Sequence, residues 1–149
     1  MALLVYAAKF ICGTMPELPP AEEGPVEAGS YATTINVHNP NPREAVPFAK
    51  KAVLLFEFNE VGKEGFEIPK APYERSRRQE ELGPDYGMQL DGRDIRELLT
   101  GLAAPPPAFI EGWVVIESAL PLDVVAVHTV RAPDGAVSIA TDRVVPTSL

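Results

Sequence analysis

Residues 109–145 read FIEGWVVIESALPLDVVAVHTVRAPDGAVSIATDRVV, and the fold class turns on them. Three runs rich in valine, isoleucine and threonine are divided by ALPL and by Pro133-Asp134-Gly135. β-Branched side chains suit a pleated surface and crowd a helix, so the runs predict strands. Proline pre-sets φ at the start of a turn and Asp-Gly tolerates left-handed geometry, so the second break predicts a hairpin. The expectation is a three-stranded antiparallel meander. Apolar residues stand on both faces of FIEGWVVIES and VVAVHTV, which predicts cover on both sides, from a second sheet and a loop or from another subunit.

The same two-residue period recurs upstream. Leu4, Tyr6, Ala8, Phe10 and Cys12 alternate with more polar neighbours such as Lys9, which predicts a first strand with an inward thiol. Residues 13–29, GTMPELPPAEEGPVEAG, have no period and read as a long polar connection. YATTINVH at 31–38 puts Tyr31, Thr33, Ile35 and Val37 on one face, and Pro40 and Pro42 then forbid a continuing ladder. VPFAKKAVLLFEF at 46–58 predicts a third strand with a bulge at Lys50-Lys51, and FEIP at 66–69 a short strand. KAPYERSRRQEELGPDYG at 70–87 reads as a mixed-charge surface excursion, YGMQLD as a short strand with Met88 and Leu90 inward, and GRDIRELLTGL as a short helix over residues 93–101.

Seven or eight short strands, one short helix, 16 prolines and 11 glycines predict a single all-β domain over 1–149, an Ig-like antiparallel β-sandwich. Apolar residues make up 46% of the 149, enough for a core without disulfides or a structural metal. One cysteine cannot form an internal disulfide. A net charge of −8 repels phosphate backbones and anionic headgroups, so nucleic acid is not an expected partner, and no apolar run is long enough for a membrane span. MALLVYAAKFICG lacks a basic n-region and a small-residue cleavage site, so it reads as a strand rather than a leader; localisation stays open between the cytoplasm and export.

Chemistry is sparse. There is no GxSxG, HExxH, CxxC or glycine-rich phosphate loop. Cys12, His38, His128, Met15 and Met88 match a blue-copper inventory, yet the cysteine precedes both histidines and lies far from them, so no metal or other cofactor is expected. His38, Asn39 and Pro40 read as a structural corner, with the imidazole holding the end of its strand. His128 reads as a half-buried strand residue. Glu111 and Glu117 share a strand face with Trp113, and with Tyr73 and Tyr86 from loops they form a candidate ligand or interface surface.

YATTINVHNP and FIEGWVVIES followed by LDVVAV resemble a family of small bacterial β-sandwich proteins that carry Tyr-x-Thr-x-Ile-Asn-x-His-Asn-Pro and a paired C-terminal hairpin. The resemblance implies a fold and no reaction, ligand or site residue. Many members of that family are exported, whereas no recognisable leader stands here. Two functions follow as expectations: a non-enzymatic structural or interaction protein that self-associates into a homo-oligomer or filament, or a carbohydrate-binding module using Trp113 and loop tyrosines.

Overall fold

A computed structural model describes residues 1–18, 24–58, 77–99 and 107–149. They form nine strands and one helix: β1 Leu4–Met15, β2 Gly29–His38, β3 Val46–Phe58, β4 Arg78–Leu82, β5 Gly87–Leu90, α1 Gly92–Leu98, β6 Phe109–Ser118, β7 Asp123–Arg131, β8 Val137–Arg143 and β9 Thr147–Ser148. All pairings are antiparallel, in the order β4-β3-β6-β1-β2-β7-β8, with β5 beside β2 and β9 beside β1. This hydrogen-bonded sheet folds over between β1 and β2 into two layers. The sets β1-β6-β3 and β2-β7-β8 occupy the places of the B-E-D and C-F-G strands of an immunoglobulin-type sandwich, with β4, β5 and α1 inserted before β6.

The core between the layers follows the period of two. Tyr6, Ala8, Phe10 and Cys12 of β1 face Ile35 and Val37 of β2 and Val124 and Ala126 of β7, with Ile110, Val114 and Ile116 of β6 and Phe48, Ala52 and Leu54 of β3 completing it. The helix plugs one end with Ile95 and Leu98, and Leu99 at its C-cap is also buried. Its N-cap is Asp91, whose carboxylate accepts from the N–H groups of Arg93 and Asp94, while Asp94 accepts from the Asp91 N–H. Seven residues make less than a stable isolated helix, so the cap and the buried face hold it together.

The fold class matches the sequence reading; three local readings do not survive. Residues 109–145 are not a meander, because β6 pairs with β1 and β3 and never with β7. The chain instead arches between layers at 119–122. There Ser118 Oγ binds both the N–H and the C=O of Leu120, and the buried Leu122 N–H donates to the Tyr6 hydroxyl at 2.9 Å. Only β7 and β8 form the predicted hairpin.

The bulge in β3 lies between Leu54 and Phe56, opposite Gly112, rather than at Lys50-Lys51. A Cβ at Gly112 would sit 2.0 Å from the Val53 carbonyl oxygen, so the close approach of β3 and β6 requires glycine. Lys50 points inward with 8% of its side chain exposed, and its ammonium is neutralised by Glu80 at 2.7 Å. That partner comes from β4, a strand where the sequence reading placed a loop excursion. The expected strand at 66–69 lies outside the described residues.

The fold turns from one layer to the other at a single corner. β1 pairs with β2 only from Gly13↔Tyr31 to Met15↔Gly29; continued, the register would place Cys12 opposite Ala32 and then Ile11 opposite Thr33. At that point the backbones part and the Thr33 hydroxyl substitutes for the missing ladder. It accepts from Ile11 N–H at 2.9 Å and donates to Ile11 C=O at 3.1 Å. Gly13, at φ +109°, supplies the bend, since a Cβ there would lie 1.9 Å from the Ala108 carbonyl oxygen. Thr33→Val keeps the shape and strips both bonds from buried groups, so it is expected to lower unfolding free energy by about 3 kcal/mol in urea denaturation, whereas Thr33→Ser loses only about 1 kcal/mol.

Candidate interaction surface

The residues nominated from sequence fall into separate places. Glu111, Trp113 and Glu117 do share the outer face of β6. Lys9 binds Glu111 at 2.7 Å and holds its ammonium 4.6 Å from the centre of the Trp113 ring, so a cation already occupies one aromatic face. Glu117 is bridged by Lys51 at 3.1 Å and Arg77 at 2.7 Å. Tyr86 is exposed but belongs to the turn before β5, in the other layer, where its backbone carbonyl accepts from Asn39 N–H. The structure therefore does not join Tyr86 to Trp113. Tyr73 lies outside the described residues.

Cys12 and the two histidines serve different surroundings. Cys12 is buried, and burial pushes its thiol pKa up, with Thr33 acting against that shift. His128 Nδ1 meets Thr33 Oγ1 at 2.9 Å. His38 stands at the opposite end of β2, beside Asp85 and Asp123. Among the described residues no three histidine, cysteine or acidic side chains are grouped to hold a metal ion.

The corner after β2 is built around Asn39, which is 0% exposed. Its amide donates to the carbonyls of Glu44, Leu82 and Gly83, and its own oxygen accepts from Asn41 N–H. One side chain thus ties the 39–44 turn to the end of β4. Pro40 is exposed at this turn and lines a shallow groove with Pro42 and Pro121. His38, at the end of β2, has Nε2 2.9 Å from Asp85 and Nδ1 3.4 Å from Asp123, which also receives Arg143 at 2.9 Å. The bond to Asp85 is the main influence raising the His38 pKa above its usual value; Asp123 adds to it and desolvation opposes it.

The largest departure from a closed sandwich is β8. It pairs with β7 along its whole length, yet all seven of its residues are exposed. Val137 is 52% and Ile139 70% exposed, both on the outer face beside Val125, Val127 and Thr129 of β7. No described strand pairs with its far edge. The two ends of the main sheet differ in kind: β4 is short and carries Arg78, Glu80 and Glu81, charges that discourage strand addition, whereas β8 carries no charge from Val137 to Thr141. Sequence reasoning expected residues 137–143 as the last strand of a meander and paired it correctly with β7, but did not single it out as an exposed edge.

A histidine whose folded pKa is raised contributes stability that is complete below its unfolded value and is lost as pH rises through the folded value. In urea denaturation the wild-type midpoint is therefore expected to fall more between about pH 6 and pH 8.5 than that of His38→Asn, which lacks this titration. Parallel curves for the two proteins would remove His38 from the corner's energetics.

No protein-family model matches the chain, and no curated protein sequence is similar to it. Among solved structures it is similar to Thermotoga maritima 1070, at 9% identity over 97% of this chain and 92% of that one, with a TM-score of 0.48. A likeness at that level carries no argument about function.

Proposed function

We propose that this protein is a non-enzymatic interaction module that self-associates, and that β8 is the surface through which it does so. The observation that carries this reading is the full exposure of β8, a strand seven residues long, uncharged over five of them, with Val137 and Ile139 turned outward. A lone sheet edge of this composition is a template for another strand, and a second copy offers the same edge.

A two-fold axis through Ala140 pairs all seven residues with their counterparts. Val137 then opposes Arg143 of the partner subunit, Ser138 opposes Asp142 of the partner subunit, and Ile139 opposes Thr141 of the partner subunit. Registers centred on Asp142 or Arg143 place like charges face to face and shorten the ladder, which disfavours them. Two-fold pairing of one edge closes on itself, and the charged β4 edge gives no second site for propagation, so a dimer is favoured over a filament. Each protomer carries −8, so association is expected to strengthen with salt.

The carbohydrate reading has less support. Trp113 would have to release Lys9 from its ring before a sugar face could stack there.

The test is mild oxidation of single-cysteine substitutions along β8, with Cys12 buried and out of reach. Ala140→Cys is expected to form a covalent dimer at concentrations where Asp142→Cys remains uncrosslinked. A monomeric mass for the wild-type protein in light scattering up to millimolar concentration would end the proposal.

A further inference from the structure

On the inner side of β8, where β1 turns away into its own layer, Ile11, Tyr31, Val130, Ser138 and Ala140 line an open recess of about 150 Å³ with His128 in its wall. The lining contains no carboxylate, ammonium or guanidinium group. The hydrogen bonds at Thr33 fix the state of the imidazole. A hydroxyl has one proton, and that of Thr33 goes to the Ile11 carbonyl, while Ile11 N–H donates to the same oxygen. Toward His128, 2.9 Å away, Thr33 Oγ1 is then an acceptor, so Nδ1 carries the ring proton and Nε2 keeps a lone pair. Among the described residues no hydrogen bond reaches Nε2.

We propose that this recess binds a small aromatic molecule with a single hydrogen-bond donor, of the phenol or indole class, whose O–H or N–H is accepted by His128 Nε2. The volume is that of one aromatic ring, since a closed apolar cavity of about 150 Å³ takes up benzene, and here the ring would keep one edge in solvent. The chemistry fits as well: Tyr31 offers an aromatic wall, the aliphatic residues exclude a charged ligand, and the free acceptor rewards one donor. Pairing of β8 edges would lie in the plane of the sheet and leave this inner side open, so the site does not rest on the dimer.

The groups around the imidazole set its pH response. Lys9 of β1 and Asp142 of β8 act on it in opposite senses, Thr33 of β2 holds Nδ1, and the Tyr31 phenol lines the recess. Burial is the largest influence, and the His128 pKa is lowered, so the ring is neutral near pH 7. Protonation at low pH turns Nε2 into a donor and removes the preference for a donor ligand.

The probes are phenol and toluene, titrated into the wild-type protein and followed by amide NMR shifts. Phenol is expected to bind about fivefold more tightly than toluene at about pH 7.5, with saturable shifts at residues 128–130 and 138–140, and to lose that advantage once the pH is low enough to protonate the His128 ring. Ala140→Phe, at an exposed strand position, fills the recess and is expected to abolish both titrations. Should that variant fail to fold, the comparison of phenol and toluene at two pH values still decides. No saturable shift with phenol, equal affinity for the two probes at about pH 7.5, or binding that survives Ala140→Phe would overturn the site.

Discussion

One threonine hydroxyl governs how the two layers of this protein meet. At Ile11 the backbone needs a partner for its N–H and C=O on the side away from β6, and β2 is no longer close enough to supply one. Thr33 Oγ1 satisfies both groups from a buried position. An unpaired buried amide and carbonyl would each carry a desolvation penalty, so without this bridge the strands would either stay paired and flatten the corner or leave the bend exposed to water. Gly13 makes the turn geometrically possible, and Thr33 makes it energetically acceptable.

The rest of the architecture follows from that parting. Once β1 leaves β2, the residues of β1 from Tyr6 to Phe10 face the core beneath β2 and β7, and Tyr6 reaches far enough to receive the Leu122 N–H. The arch from β6 to β7 is held by this contact, which places the two strands in opposite layers. β8 is then added outside β7, beyond the width of the facing layer, and is exposed on both faces. The same geometry that closes the core leaves an uncovered strand and, on its inner side, the recess beside His128. Thr33 touches both consequences, since its hydroxyl also sets which nitrogen of His128 bears the proton.

Much of this was legible from the residues. The alternation of Leu4 to Cys12 identified a strand and its buried face, and that of Tyr31 to Val37 a strand with two distinct faces, because a half-buried strand writes its orientation in a period of two. The short helix was legible from Ile95, Leu98 and Leu99. The relation of β6 to β7 was hidden: two strands joined by ALPL look like a hairpin, and the bond that makes them an arch comes from Tyr6, 116 positions away. β4 was hidden because RQEEL has no apolar alternation; it is a strand through its pairing with β3 and through the neutralisation of Lys50 by Glu80. Thr33 looked like any β-branched strand residue, since nothing local marks where a ladder ends. For the nominated surface, sequence correctly put Glu111, Trp113 and Glu117 on one face, but their closest partners, Lys9, Lys51 and Arg77, come from elsewhere in the chain.

The central claim is that the edge of β8 is exposed in the single chain and paired in the assembled protein. Hydrogen exchange read at the β8 amides that point away from β7, over a dilution series, addresses it directly. The account predicts slow exchange of these amides at high protein concentration and rapid exchange on dilution, while the amides bonded to β7 stay protected throughout. Exchange of the outward amides that is fast and independent of concentration would contradict it.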